Sequence, residues 1–349
     1  MNKCIAFLIS VLSVILTSCR NSESQRAVDF TLNDFKFVQL SAPDTIECEG
    51  LFLAKPATIQ FHPDGFLFVA DRKNVKMLHI IDLENRSSTM GLPSGRAENE
   101  LLTIWDITVH DRDVYLSSIY ESKLLKLHYI PDNRVFLIDS CLQFPNQFMR
   151  CIPYKNGYLT FASASSKDRF YLWEGSTSVT DTVGSFPTDG IIGNAPLHNG
   201  VLQSDISVHG NKIVSSYKGI DYIDIYKDNI LDKRIHGPVH KDVEVKERVF
   251  GNGAVSTSLS PDMSVFNKVI ASENGFWVGY VGFVSNGKDI PTPEEMRIKK
   301  ILHFSWDGEP DMAYLLDKSI EDFAIDANSN VLYCLIVNPE PAIISYSLM

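Results

Sequence analysis

Three short runs of the sequence share one pattern: Trp105-Asp106-Ile107-Thr108-Val109, Ser204-Asp205-Ile206-Ser207-Val208 and Glu321-Asp322-Phe323-Ala324-Ile325. In each, a carboxylate opens an alternation of apolar and small residues. Carboxylates gathered from separate segments would offer the several hard oxygens that Ca²⁺ prefers, which makes Asp106, Asp205 and Asp322 candidates for a metal. They can equally accept hydrogen bonds from backbone amides of neighbouring strands. The second use is favoured, so no cofactor is expected and Ca²⁺ is the one ion held open.

Hydrolysis or elimination needs a nucleophile with its base, or a metal with an open position. No Gly-x-Ser-x-Gly elbow, His-Glu-x-x-His pair or phosphate-binding glycine loop occurs. His62, His110 and His209 fall in turns, while His198, His236 and His240 fall in long segments with no partner fixed by spacing. Cys48, Cys141, Cys151 and Cys334 form no Cys-x-x-Cys motif. They read as buried free thiols, with a Cys141–Cys151 disulfide left open. The chain is therefore expected not to be an enzyme. The alternative is a metal-assisted, lactonase-like hydrolase or lyase using the three aspartates.

The elements that would position these residues recur. An alternating strand, a turn rich in Asp, Asn and Gly, and a second strand appear six times, with turns at 62–65, 110–113, 154–157, 209–211, 272–275 and 326–330. Second strands are expected at 66–70, 114–118, 158–162, 212–216, 276–280 and 331–335. Third strands follow at 77–83, 124–129, 169–173, 222–226, 301–306 and 343–348, and fourth strands at positions such as 135–138, 179–183 and 312–316. A four-strand unit recurring every roughly 45 to 65 residues describes the blades of a propeller. The fold class is an all-β, six-bladed β-propeller of four-stranded antiparallel blades, closed by an N-terminal strand. The sixth unit ends one strand short, and 35–40 is expected to supply that strand.

The long segments 90–103, 184–202, 236–265 and 282–297 fall on one face of such a ring, the face expected to bind. Candidate residues at its channel mouth are the three aspartates with Trp105, Arg150, Tyr217 and Tyr280. Tyr120 and Phe148 belong to the same aromatic group, suited to stacking on sugar rings or gripping a peptide.

The first twenty residues concern location. One early cation, Lys3, precedes an apolar run over 5–16, too short to span a bilayer of ~30 Å. It ends in Leu16-Thr17-Ser18-Cys19, which resembles a bacterial lipobox. The reading is a signal peptide over 1–18, lipid on Cys19, a flexible tether over 19–29 and a propeller over 30–349. The anchor would then join the ring beside its closing strand. Loss of Lys3 moves the net charge from -11 to -12, which disfavours nucleic acid. The remaining partners are a membrane, held through the lipid, and an envelope protein, peptide or glycan. The protein would sit in the cell envelope on the inner or outer membrane, facing the periplasm or the cell surface.

The lipobox, the six units, the closing unit at 320–348 and the run Gly95-Arg96-Ala97-Glu98-Asn99-Glu100-Leu101 together resemble the TolB-like six-bladed propeller lipoproteins of Bacteroides-type bacteria. Members often carry Gly-Arg-Gly-Pro-x-Glu before an apolar residue, and Gly95, Arg96, Glu100 and Leu101 match. Ala97 and Glu98 depart from that motif. The resemblance implies fold and location, since the family has no established activity. Arg96 and Glu100 are expected either to staple the loop as an ion pair, the favoured role, or to face a ligand.

Overall fold

The computed structural model describes residues 27–348 apart from 163–165, 167, 194–196, 252–254 and 288–289. The expected signal segment and Cys19 lie outside the described residues.

Six antiparallel sheets follow one another along the chain. Their inner strands are Pro56–His62, Asp106–His110, Cys151–Tyr154, Ser204–His209, Met263–Ser272 and Asp322–Asp326, which define blades 1 to 6. All six expected hairpin turns form, and each puts a residue at positive φ: Gly65, Asp111, Lys155, Gly210, Gly275 and Asn330. Gly275 has no substitute, because φ is 150° and a Cβ there would run into the carbonyl oxygen of Phe304.

Strand alternation sends one set of side chains into each gap between blades, and each of the six gaps holds its own apolar cluster. Phe66, Phe68 and Leu116 lie between blades 1 and 2, and Phe144, Phe148 and Trp173 between blades 2 and 3. Phe170 and Ile206 fill the next gap, Val214 and Phe276 the one after it. Ile301 and Phe323 pack between blades 5 and 6, and Ile59 and Leu335 join blade 6 to blade 1. Sheets sealed pairwise all the way round form a closed ring.

Closure differs from the expectation. The strand Lys36–Leu40 does not enter blade 6. It runs parallel to Pro310–Ile320 as a fifth strand outside blade 5. The missing strand of blade 6 is Asp44–Thr45, antiparallel to Ala342–Ser347 and extended by a hydrogen bond from Ile46 N to Ile343 O. A two-residue, charged strand behind Pro43 gives almost no sequence signal, though a short polar strand suits an edge.

The chain upstream is also docked. Val28–Asp29 pairs in parallel with Ile235 and His236 outside blade 4, so the tether expected over 19–29 has already joined the ring at its last residues. It meets blade 4 rather than the closing blade. Phe30 and Phe35 pack edge-on against Phe304 at centroid distances of 5.2 and 5.1 Å, and Leu40 is buried between blades 5 and 6. The N-terminal segment thus belts blades 4, 5 and 6 before entering blade 1.

The long segments on one face carry a small sheet that the sequence did not announce. Ile191–Ile192 lies parallel to Val243–Val249, which pairs with Val255–Ser260. The four cysteines are free thiols, so Cys141 and Cys151 are not bridged.

Candidate functional site

Counting back four residues from the first residue of each turn gives Thr58, Asp106, Arg150, Asp205, Lys268 and Asp322. All six line one cavity of about 790 Å³ at the axis of the ring. Identical register on six inner strands brings side chains of alternate type to one level. Carboxylates come from blades 2, 4 and 6, with threonine, arginine and lysine from blades 1, 3 and 5.

The alternation pairs them. Arg150 Nε lies 2.6 Å from Asp106 Oδ2, and its other arm pairs with Asp205. Asp205 Oδ2 also accepts from Val269 N at 2.8 Å. Lys268 Nζ donates to Asp322 Oδ2 at 2.9 Å and to Ile59 O at 2.7 Å. Asp322 Oδ2 takes two more donors, Thr58 Oγ1 at 2.7 Å and Ile59 N at 2.9 Å. Burial depresses the pKa of Lys268, against the pull of Asp322. Two of the three aspartates therefore accept backbone amides of a neighbouring blade, as the structural reading expected. All three also carry a cationic partner, so a divalent ion at this level would have to displace Arg150 or Lys268.

The cavity widens toward the long-loop face. Its rim includes Arg72, Trp105, Lys218, Met296, Arg297 and Glu321. Trp105 is 36% exposed, and the Arg72 guanidinium lies 5.5 Å from its ring centroid. On the other side a second cavity of about 460 Å³ is lined by the turn residues His110, His209, Glu273 and Asn328. Arg150 lines both cavities. The six side chains thus form a charged belt that floors the first cavity, and Arg150 is the member that also reaches the second.

Other expected residues lie elsewhere. Tyr217 is fully buried on the side of blade 4 that faces blade 3, its hydroxyl 2.8 Å from Asp224 Oδ2 and its ring 4.1 Å from the guanidinium of Arg169 in blade 3. Tyr280 is 8% exposed and packs near Phe266, and Phe148 is core. These aromatics sit in the gaps between blades, whereas Trp105 and the buried Phe161 line the axial cavity and Tyr120 is exposed.

The expected Arg96–Glu100 ion pair does not form. Arg96 is exposed and joins no ion pair among the described residues, and neither residue lines the axial cavity. The loop is stapled by Glu100 and Lys123: Glu100 Oε2 accepts from Ala97 N at 3.0 Å, while Lys123 Nζ donates to Ala97 O at 2.9 Å. The Glu100 carboxylate sits where a Cβ on residue 95 would be, so a side chain there would displace it.

Lys268 and Thr58 are the belt residues that the acidic pattern missed. Their register relative to the turns was the available signal. Burial raises the pKa of all four described thiols, the opposite of what an activated cysteine needs.

No protein-family model and no curated protein matches the chain. Solved structures do. A member of the DUF4221 family from Bacteroides vulgatus aligns with 88% of this chain and 96% of its own, at 11% identity and a TM-score of 0.54. Raptor from Chaetomium thermophilum aligns at 13% identity and a TM-score of 0.49, with 88% of this chain covering 28% of that one. The β-propeller domain of Cps50 (Swd1) from Myceliophteria thermophila aligns at 10% identity and 0.46, over 89% of this chain and 99% of that one. At such identities the likeness to the DUF4221 protein is one of fold, the β-propeller.

Proposed function

We propose that this chain is a non-enzymatic binding module that takes a peptide or glycan segment of an envelope partner into the long-loop funnel. The observation that carries the reading is the belt itself. Its carboxylates are paired with Arg150 and Lys268, so the funnel floor offers charges held in fixed positions. A rigid floor of paired charges under a rim holding Trp105, Arg72 and Lys218 suits recognition: an aromatic face for stacking and cations for anionic or carbonyl groups.

Location belongs to the same proposal. The Leu16-Thr17-Ser18-Cys19 run supports lipid attachment at Cys19, and with the six units and the Gly95–Leu101 loop it supports a place among TolB-like envelope lipoproteins. A docked N-terminal segment gives such an anchor a firm attachment on blade 4.

The test is binding by the mature chain to arrays of peptides and glycans, compared with the Trp105→Ala and Arg72→Glu variants. Ligands should be found whose affinity falls at least about tenfold in both variants, the size of one lost hot-spot contact. Ligands that bind both variants as well as the parent would remove the funnel from the account.

A further inference from the structure

Where the N-terminal segment meets blade 4, three side chains with metal-binding atoms converge. Asp29 comes from the docked segment, His236 ends the outer strand of blade 4, and His240 lies four residues on. His236 Nδ1 is 3.0 Å from Asp29 Oδ1, and His240 Nδ1 is 3.9 Å from the same oxygen. The three candidate ligand atoms lie within 4.8 Å of one another.

The outward sides of both rings are already committed. His236 Nε2 faces Asp221 Oδ1 at 3.3 Å. Asp221 is 1% exposed, and this oxygen has no hydrogen-bond donor among the described residues, so a proton on His236 Nε2 is what it calls for. The other oxygen of Asp221 accepts from His240 N at 2.6 Å. His240 Nε2 is 2.7 Å from Phe30 O, which can only accept. Hydrogen on Nε2 of each ring turns Nδ1 toward Asp29; without metal, the 3.0 Å contact of His236 Nδ1 with Asp29 Oδ1 is a hydrogen bond that needs a proton on that nitrogen. Tyr222 stacks on His236 with centroids 4.4 Å apart and holds its plane. A divalent cation seated between the two Nδ1 atoms and the carboxylate would take the place of the proton on His236 Nδ1.

We propose that Asp29, His236 and His240 bind one divalent transition-metal ion of the zinc class, clamping the N-terminal segment to blade 4. In a tetrahedral zinc site with bonds of ~2.0–2.1 Å, ligand atoms stand about 3.3 Å apart, close to the two separations to Asp29. The fourth position is left for water. Asp221 and Phe30 O take the part of the outer partners that fix ligand tautomers in such sites. The site is on the outer rim, so it stands or falls independently of the funnel.

The experiment is titration of the metal-free mature chain with Zn²⁺ against a chromogenic chelator, alongside Asp29→Asn and His240→Ala. One ion per chain is expected at micromolar affinity or tighter, weakened at least about tenfold in each variant and by about tenfold in Asp221→Asn. Hydrogen exchange at residues 27–30 should slow on adding Zn²⁺. Because Asp29 is 69% exposed in its side chain, Asp29→Asn should melt like the parent without metal, which keeps the comparison valid if His240→Ala folds poorly. Binding no tighter than millimolar, or binding unchanged in Asp29→Asn, would overturn the proposal.

Discussion

Lys268 and Asp322 stand 2.9 Å apart across the boundary between blades 5 and 6, with side chains only 6% and 9% exposed. Their contact extends through Asp322 to Thr58 and Ile59 of blade 1. Three blades are thus tied at one point on the axis. Removing one member of a buried pair leaves an uncompensated charge, at a cost of about 3–5 kcal/mol. Lys268→Met should therefore lower unfolding free energy by about 3 kcal/mol. Adding Asp322→Asn, which keeps an acceptor for Ile59 N, should restore more than half of that loss. Additive losses in denaturant titrations would show that the pair is not the source.

Arg150 bridges two carboxylates at once. In Arg150→Met, Asp106 and Asp205 face the cavity without a cation, so the variant should gain Ca²⁺ binding at millimolar levels that the parent lacks. Calorimetry with both proteins checks this, and equal behaviour would contradict the account of the belt.

The docked N-terminal segment separates two neighbouring phenylalanines. Phe35 is 5% exposed and sits against Phe304, while Phe37 is 47% exposed. Phe35→Ala should cost about 3–5 kcal/mol, and Phe37→Ala less than about 0.5 kcal/mol. Melting curves that rank the two the other way would refute the belt of blades 4 to 6.

The pH response follows from the histidines. Burial lowers the pKa of His62 and His79. His62 Nδ1 accepts from Asp64 N at 3.2 Å, a bond that protonation would break. The unfolded chain takes up these protons first, from about pH 6.5, so stability should fall as pH drops below that value toward the lowered folded values. His236 works in the opposite sense. Burial disfavours its charge, but Asp221 and Asp29 outweigh burial and raise its pKa, so its contribution is complete below about pH 6.5 and fades as pH rises through the raised value. Burial lowers the pKa of His198 as well, and three lowered groups against one raised group predict net destabilisation between about pH 6.5 and 5. His62→Gln should flatten that slope in thermal melts, and an unchanged slope would count against it.

Lipid attachment makes a separate prediction. Cys19→Ser should move the protein from the membrane fraction to the soluble fraction and abolish labelling by a fatty-acid analogue. Retention of both would exclude the lipobox reading.

Much of the ring is legible in the sequence because turn chemistry is local. Gly65, Gly210 and Gly275 mark positive-φ positions directly, and the strands beside them alternate cleanly. Asp44–Thr45 was not legible, since two polar residues form a strand only because blade 6 leaves an edge open. Lys36–Leu40 alternates strongly but could have capped either blade. The belt was half legible: three aspartates share a visible pattern, whereas Arg150 and Lys268 become its members only through register. The convergence of Asp29 with His236 spans 207 positions, a separation that no local spacing encodes.

The funnel is tested most directly by photo-cross-linking in native envelopes, with a photoreactive residue placed at Trp105 on the long-loop face or at Asp111 on the short-turn face. The account predicts a discrete adduct from position 105, lost on adding excess unlabelled protein, and none from position 111. Adducts from position 111 alone, or identical adducts from both, would contradict it.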